Sequence, residues 1–354
     1  MDLHALNRRK NFWLRAQKLR LAQFLLNAPR PEQFTPETLS SLRKIVFLRN
    51  DDKLGDMIVM SSVLRELKKQ LPKAQISVIA GPTSAQLLAY NPHVSHVYIG
   101  EKNLVSAYTL GRRLRGEKID LFVSFDTEQN APSLLLLRLL NPRFAFGLNT
   151  QKIQLYNLSA IVKGNEHITQ CYQKLFDTLH LRFDNKQPEL FLPDSAQEHA
   201  QTFAQHLPSV RVALNAFAAS KHRSLSVAQV NKLIKEFPSV GFILLGSPSQ
   251  RRTLRRAGLP SNAYFPPEYF NLFDMLALLK EADLLISPDT MWVHAAAALH
   301  TSQICLFKQS DPQNKLRWKP LTQKATVFDA PDEFSTLDTS FLFPLIQTIL
   351  KCAK

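Results

Sequence analysis

Cysteine is scarce: Cys171, Cys305 and Cys352 are the only three in 354 residues. An odd, widely spaced trio makes neither a disulfide framework nor a metal cluster, and a reducing compartment is expected. No His and Cys grouping has the spacing of a zinc site. No metal and no cofactor are therefore expected. No apolar run approaches the roughly 20 residues of a membrane-spanning helix. Nor does an apolar N-terminal core lead to a small-residue cleavage site, so no secretory signal is expected. These absences predict a cytoplasmic protein. Internal repeats of solenoid period and low-complexity tracts are missing too.

Acidic residues are the minority, 29 against 44 Lys and Arg, for a net charge of +15. That balance favours an anionic partner: nucleic acid, an acidic membrane surface or a phosphorylated substrate. The basic residues are dispersed and no nucleic-acid motif is present, so nucleic acid ranks last. Hydrophobic residues make up 45%, ordinary for a globular chain, and at roughly 150 residues per domain the length suggests two domains.

Residues 1–41 stand apart as a basic N-terminal helical extension. Leu3 to Asn27 has no Pro or Gly and predicts a helix. Arg8, Arg9, Lys10, Arg15, Lys18 and Arg20 are interleaved there with Leu6, Phe12, Trp13, Leu19, Phe24 and Leu25. Such a helix either lies on anionic lipid or packs its apolar stripe on the protein itself. Pro29, Pro31 and Pro36 then mark a linker.

From Arg43 short β-branched runs alternate with helical stretches. Ile45–Leu48, Ile76–Ile79, Val97–Ile99, Leu121–Val123 and Phe144–Phe146 are the strands of a first set, within residues 42–192. Val210–Leu214, Phe242–Leu245, Leu284–Ile286 and Gln303–Leu306 are those of a second, within residues 193–335. A helix is expected over residues 336–354. Alternation of this kind predicts parallel sheets covered on both faces. Ligands in such sheets bind beyond the carboxyl ends of the strands.

Four polar loops stand at those ends. Arg49 to Asp56, R-N-D-D-K-L-G-D, leads into a helix expected from Met57. Asp56 reads first as the helix cap, and otherwise as a general base that takes a proton from a hydroxyl. Lys53 and Gly55 flank it. The loop lacks the repeated glycines of a dinucleotide fingerprint. Ser287 to His294, S-P-D-T-M-W-V-H, puts Asp289, Thr290 and Met291 at a helix start, with His294 one turn on. A helix N-terminus suits a diphosphate; capping by Asp289 or Thr290 is the plainer reading. Lys221 and Arg223 could neutralise a leaving diphosphate or be a basic surface loop. Gly246 to Gln250 could hold a nucleoside or be only a turn. Lys53, Arg112, Arg113 and Arg115 are candidates for an acceptor's phosphates or for anionic lipid, or part of a solvated face. No D-x-D pair is present, so a metal-bridged nucleotide-sugar site has no support.

Taken together, these stretches resemble glycosyltransferase family 9, the ADP-heptose:lipopolysaccharide heptosyltransferases. R-N-D-D-K-L-G-D-M-I-V-M-S-S-V-L (Arg49 to Leu64) is similar to the family's strand, G-D and helix. Ile286 to Leu299, I-S-P-D-T-M-W-V-H-A-A-A-A-L, resembles its D-T signature. Lys221-His222-Arg223, Asp311-Pro312 and Trp318-Lys319-Pro320 match further elements. The resemblance implies an α/β protein of GT-B fold, two Rossmann-like domains facing across a cleft. It implies an inverting, metal-independent enzyme with the acceptor on the N-terminal domain and ADP-heptose on the C-terminal one. Asp56 would be the base and Lys221 the cation at the donor phosphates. Thr290, Asp289, Met291, His294, Gln250 and Arg223 would bind donor. Lys53, Gly55, Arg112 and Arg113 would meet the lipopolysaccharide core or lipid A, on the inner face of the inner membrane. Two departures stand out. The family's glycine after D-T is Met291, and the acidic residue after its turn is Gln250. Another nucleotide sugar, or a non-catalytic relative, stays open.

Overall fold

The computed structural model describes residues 17, 19–26, 28–30 and 32–352. Arg8, Arg9, Lys10, Arg15 and Lys18, with Leu6, Phe12 and Trp13, lie outside the described residues. The chain divides into two compact units, Met1–Met57 with Val63–Asn185, and Ile58–Ser62 with Lys186–Lys354.

The first unit is built on six parallel strands. These are β1 (Lys44–Arg49), β2 (Gln75–Ala80), β3 (His96–Ile99), β4 (Leu121–Ser124), β5 (Phe144–Leu148) and β6 (Leu158–Ala160), in the order β3-β2-β1-β4-β5-β6. The second unit repeats the plan with β7 (Arg211–Leu214), β8 (Gly241–Leu244), β9 (Ala263–Tyr264), β10 (Leu284–Pro288), β11 (Ser302–Lys308) and β12 (Ala325–Ala330). Its order is β12-β11-β10-β7-β8-β9. Numbered within its own unit, each sheet runs 3-2-1-4-5-6, the Rossmann order. Both units are therefore Rossmann-like, as the alternating pattern predicts. The order reverses between β1 and β4 in one sheet and between β7 and β10 in the other. A crevice opens at such a switch point, beyond the carboxyl ends.

The strands at the switch points are fully buried along most of their length. Helices cover both faces, so these strands are apolar on both sides rather than alternating. Their starts are fixed the same way in both units. The Asp120 carboxylate, just before β4, accepts the N–H of Arg43 (2.7 Å) and of Lys44 (2.9 Å) at the head of β1. The Asp283 carboxylate, just before β10, accepts the N–H of Arg211 at the head of β7, 2.8 Å.

Residues 19–26 are helical. Leu19, Ala22 and Leu26 pack into the core cluster of the first unit with Ala107, Leu110, Leu136 and Leu137. The two readings of the N-terminal segment thus do not exclude each other: one stripe packs on the protein, and Leu21, Phe24 and Leu25 on the other stripe are exposed. The following proline-marked stretch is fastened by Arg30, whose Nε donates to the Leu155 carbonyl at 2.7 Å, and by an Arg143–Glu32 ion pair. Among the described residues, no helix is long and apolar enough to cross a membrane.

Candidate active site

In the first unit β1 ends at Arg49 and the next helix is Leu54–Gln70. That helix starts three residues earlier than its apolar pattern suggests. Its cap is Lys53, which makes no side-chain cap hydrogen bond, and Asp56 is the third helical residue. Asp56 is thus not the helix cap. Its carboxylate still gains from the helix dipole in the first turn, but its partner is the Arg49 guanidinium. Arg49 Nη2 also reaches Asp51 Oδ2 at 3.3 Å. Arg49 is 7% and Asp56 8% exposed, so the pair is shielded from solvent. Arg49 Nε and Asp51 Oδ1 are buried without hydrogen-bond partners. Unsatisfied buried polar atoms are rare in a folded core, and these two belong to Arg49 and its partner Asp51.

Asp52 has a different task. Its backbone is left-handed, φ 59°, which Asp tolerates better than most residues. Its Oδ1 accepts the N–H of Thr83 (2.8 Å) and of Ser84 (2.7 Å), fixing the turn after β2. Burial opposes its ionisation, but the hydrogen bonds from Ser84 and Thr83 together outweigh burial and lower its pKa. A Cβ on Gly81 would stand 2.6 Å from Asp52 Oδ1, so this contact requires glycine.

Lys53 is exposed and Gly55 half-buried, both beside Asp56. Arg112 and Arg113 are elsewhere. They end the Leu104–Arg113 helix, which leaves the carboxyl end of β3 and runs about 15 Å back. The chain after it, through Glu117, meets Lys44 at the start of β1, Nζ to Oε2 2.7 Å. The two arginines therefore sit at the amino end of the sheet, away from Asp56. Helices in a parallel sheet run antiparallel to the strands, so Lys53 and Gly55 stand at Asp56 while Arg112 and Arg113 do not.

In the second unit the loops after β7 and β10 join across the switch point. The buried Asn215 Nδ2 donates to Ser287 Oγ (3.0 Å) and Thr290 Oγ1 (3.2 Å). Thr290 caps the Met291–Ala298 helix, accepting the Trp292 N–H. The capping reading of Thr290 is thus correct, and it leaves the helix N-terminus facing the same end as these loops. Asp289 does not cap. Its Oδ2 accepts from Asn314 Nδ2 at 2.7 Å and from Arg223 Nη1 at 3.2 Å. Burial raises the Asp289 pKa, and Asp311 adds to the rise, against the opposing pull of Asn314 and Arg223.

Arg223 closes the short helical turn Lys221–Arg223, so its pairing with Asp289 brings that turn against the start of the Met291–Ala298 helix. Lys221 in the same turn is exposed, and its ammonium has no partner of its own among the described residues. Met291 is the first helical residue and is half-buried. It is not among the residues of positive φ. A left-handed backbone is thus not required here, and the methionine is accommodated without strain. His294 is buried, its ring edge-on to Trp318 with centroids 6.0 Å apart. The D-T signature and the tryptophan of the tail therefore meet.

Gln250 is occupied within its own turn. Its Oε1 accepts the Ser247 N–H at 2.8 Å while Ser247 Oγ accepts the Gln250 N–H, a capping box that an amide serves as well as a carboxylate. Next to it, the buried Arg251 donates to the carbonyls of Gly246 (2.9 Å) and Pro267 (3.1 Å). Burial lowers its pKa. Arg49, Asn215 and Ser287 open the strand-end loops but carry no expected role there, and Asn314 and Arg251, inside helices, are announced by no motif.

Among the described residues, no group of three or more His, Cys, Asp or Glu is arranged to hold a metal ion.

The model of glycosyltransferase family 9 (heptosyltransferase) matches residues 107–338 of the chain. The Escherichia coli (strain K12) protein named "Putative lipopolysaccharide heptosyltransferase 4" is 23% identical over 350 residues, covering 94% of this chain and 93% of its own. Two solved structures share the fold. The glycosyl transferase family 9 protein from Veillonella parvula DSM 2008 has a TM-score of 0.78 at 15% identity, covering 90% of this chain and 99% of its own. The ADP-heptose LPS heptosyltransferase II of E. coli has a TM-score of 0.72 at 16% identity, covering 88% and 99%.

Proposed function

Because the chain belongs to glycosyltransferase family 9, and is thereby a glycosyltransferase enzyme, we propose that it transfers heptose from ADP-heptose to the core of lipopolysaccharide. In this reading it works in the cytoplasm at the periphery of the inner membrane. The first unit takes the acceptor and the second the nucleotide sugar. The observation that carries the reading is the pair of strand-end sites: a buried, ion-paired carboxylate in one unit, and in the other a capped helix N-terminus beside an unpartnered lysine.

The chemistry follows from those groups. A sugar hydroxyl is a poor nucleophile, and Asp56 takes its proton as it attacks. The oxygen bonds to the anomeric carbon while the bond from that carbon to the β-phosphate oxygen breaks, and the electron pair leaves with ADP. One displacement inverts the anomeric centre. The charge developing on the leaving diphosphate meets the Lys221 ammonium, the Met291 N–H at the helix start and the Thr290 hydroxyl. Arg223 and Asn314 hold Asp289 and so fix the loop that carries Thr290. Asn215 fixes it from the β7 side. Arg49 holds Asp56 in place; it is a positioning residue.

Incubation with ADP-heptose and a panel of core-truncated lipopolysaccharides, read by mass spectrometry, tests this. A mass gain of one heptose on one acceptor supports it. The half-buried Met291, where the family carries glycine, favours a second reading: a different sugar on the nucleotide. Transfer from another nucleotide sugar and none from ADP-heptose would select that reading.

A further inference from the structure

Two helices of the first unit, residues 19–26 and Leu104–Arg113, pack into one core cluster through Leu19, Ala22, Ala107 and Leu110. Both leave large apolar side chains outside. On the first, Leu21, Phe24 and Leu25 follow i, i+3, i+4 spacing and are exposed, Phe24 to 83%. At 3.6 residues per turn they fall on the face roughly opposite Leu19, Ala22 and Leu26. On the second, Val105 is 74% exposed and Tyr108 joins it one turn on. A soluble helix ordinarily turns charge to the solvent. These helices turn phenylalanine, leucine, valine and tyrosine to it.

The charge on the described part of these helices is basic, Arg20 on the first and Arg112 and Arg113 on the second, and of the two acids that flank the second helix Glu117 is already paired with Lys44 and Glu101 accepts from Asn103. Arg20, Arg112 and Arg113 are exposed and make no ion pair among the described residues. Apolar side chains rimmed by unpaired cations complement a surface that offers both acyl chains and anionic headgroups.

We propose that this face docks the enzyme on an anionic phospholipid bilayer, the aromatic and aliphatic side chains entering the interface and the arginines meeting lipid phosphates. The inference deepens the membrane contact in the reading above. It also gives Arg112 and Arg113 a partner that their place in the sheet allows. Vesicle binding needs neither donor nor acceptor, so it stands or falls separately from transfer.

The test is flotation of the full chain with phosphatidylcholine vesicles, with and without phosphatidylglycerol. Binding is expected only to the anionic vesicles, and raised salt should weaken it. Leu21→Ser/Phe24→Ser/Leu25→Ser, and separately Val105→Ser/Tyr108→Ser, should each weaken binding at least about tenfold. Circular dichroism and turnover of a soluble, deacylated acceptor should stay at the wild-type level. The second variant sits on a helix anchored by its buried Ala107, Leu110 and Gly111 and keeps the test valid if the first disturbs folding. Undiminished binding in both variants, or equal salt-independent binding to neutral vesicles, would overturn the proposal. So would light scattering that shows a wild-type dimer turned to monomer by the serines, since the face would then be covered by a second copy.

Discussion

Replacing Arg49 with methionine removes the guanidinium that faces both Asp51 and Asp56. The size of the effect follows from burial. A surface ion pair contributes about 0–1 kcal/mol, but Arg49 and Asp56 are 7% and 8% exposed. Removing one partner of a pair so shielded strands the other, which costs about 3–5 kcal/mol. At about 2–4 °C per kcal/mol for a unit of this size, the first unit should melt roughly 6–20 °C lower. Asp56→Asn should cost less, about 1–2 kcal/mol, because Arg49 keeps Asp51 and can donate to the amide oxygen. The double variant Arg49→Met/Asp56→Asn should be less destabilised than the sum of the two singles. Urea unfolding followed by tryptophan-independent far-UV circular dichroism reads all three. The reasoning is refuted if Arg49→Met costs under about 1 kcal/mol, or if the two single variants add.

Other outcomes follow from the same geometry. Lys221→Ala should change stability by less than about 0.5 kcal/mol, since the ammonium makes no hydrogen bond or ion pair among the described residues, yet lower kcat about 10²-fold if it faces the leaving diphosphate. Steady-state kinetics beside a melting curve separates the two effects. Gly81→Ala should cost about 1–3 kcal/mol, because its Cβ would stand 2.7 Å from the Asp52 Cβ and Cγ; a neutral melt would count against that contact. Asp289 has a raised pKa in the folded chain. Above its unfolded value the folded state therefore holds the proton longer, and stability falls as pH rises through that window. The Asp289→Asn variant lacks this fall, so its stability relative to wild type should improve from about pH 4 upward; the opposite slope would contradict the assignment.

Much of the architecture is legible in the chain. β1, β4, β7, β8 and β10 are mainly apolar because a parallel sheet buries both faces of a strand, and β2 and β11 keep the same character around Ser77 and Gln303. β6 (Leu158–Ala160) and β9 (Ala263–Tyr264) are three and two residues long. They become strands only by pairing with β5 and β8, which no local pattern announces. β12 is a half-buried edge and carries a weaker signal for the same reason.

The site is legible in part. The loops can be found because polar residues at strand ends interrupt apolar runs. What each side chain does cannot. Asp56 looks like a cap because Lys-Leu-Gly offers no capping oxygen at the true start of the helix. Its tie to Arg49 joins a strand end to a helix turn seven residues on and emerges only with the fold. Arg112 and Arg113 look like substrate contacts on charge alone, since which end of a sheet a helix terminus reaches depends on topology. Gln250 looks like a lost acid until its amide is seen closing a capping box.

The central claim is that Asp56 takes the acceptor's proton while the second unit binds the donor. The most direct measurement is acceptor-dependent release of ADP from ADP-heptose by wild type and by Asp56→Asn, with donor binding followed by calorimetry in both. The account predicts release that collapses in the variant while donor affinity stays within about twofold. Undiminished release by a folded Asp56→Asn enzyme would contradict it.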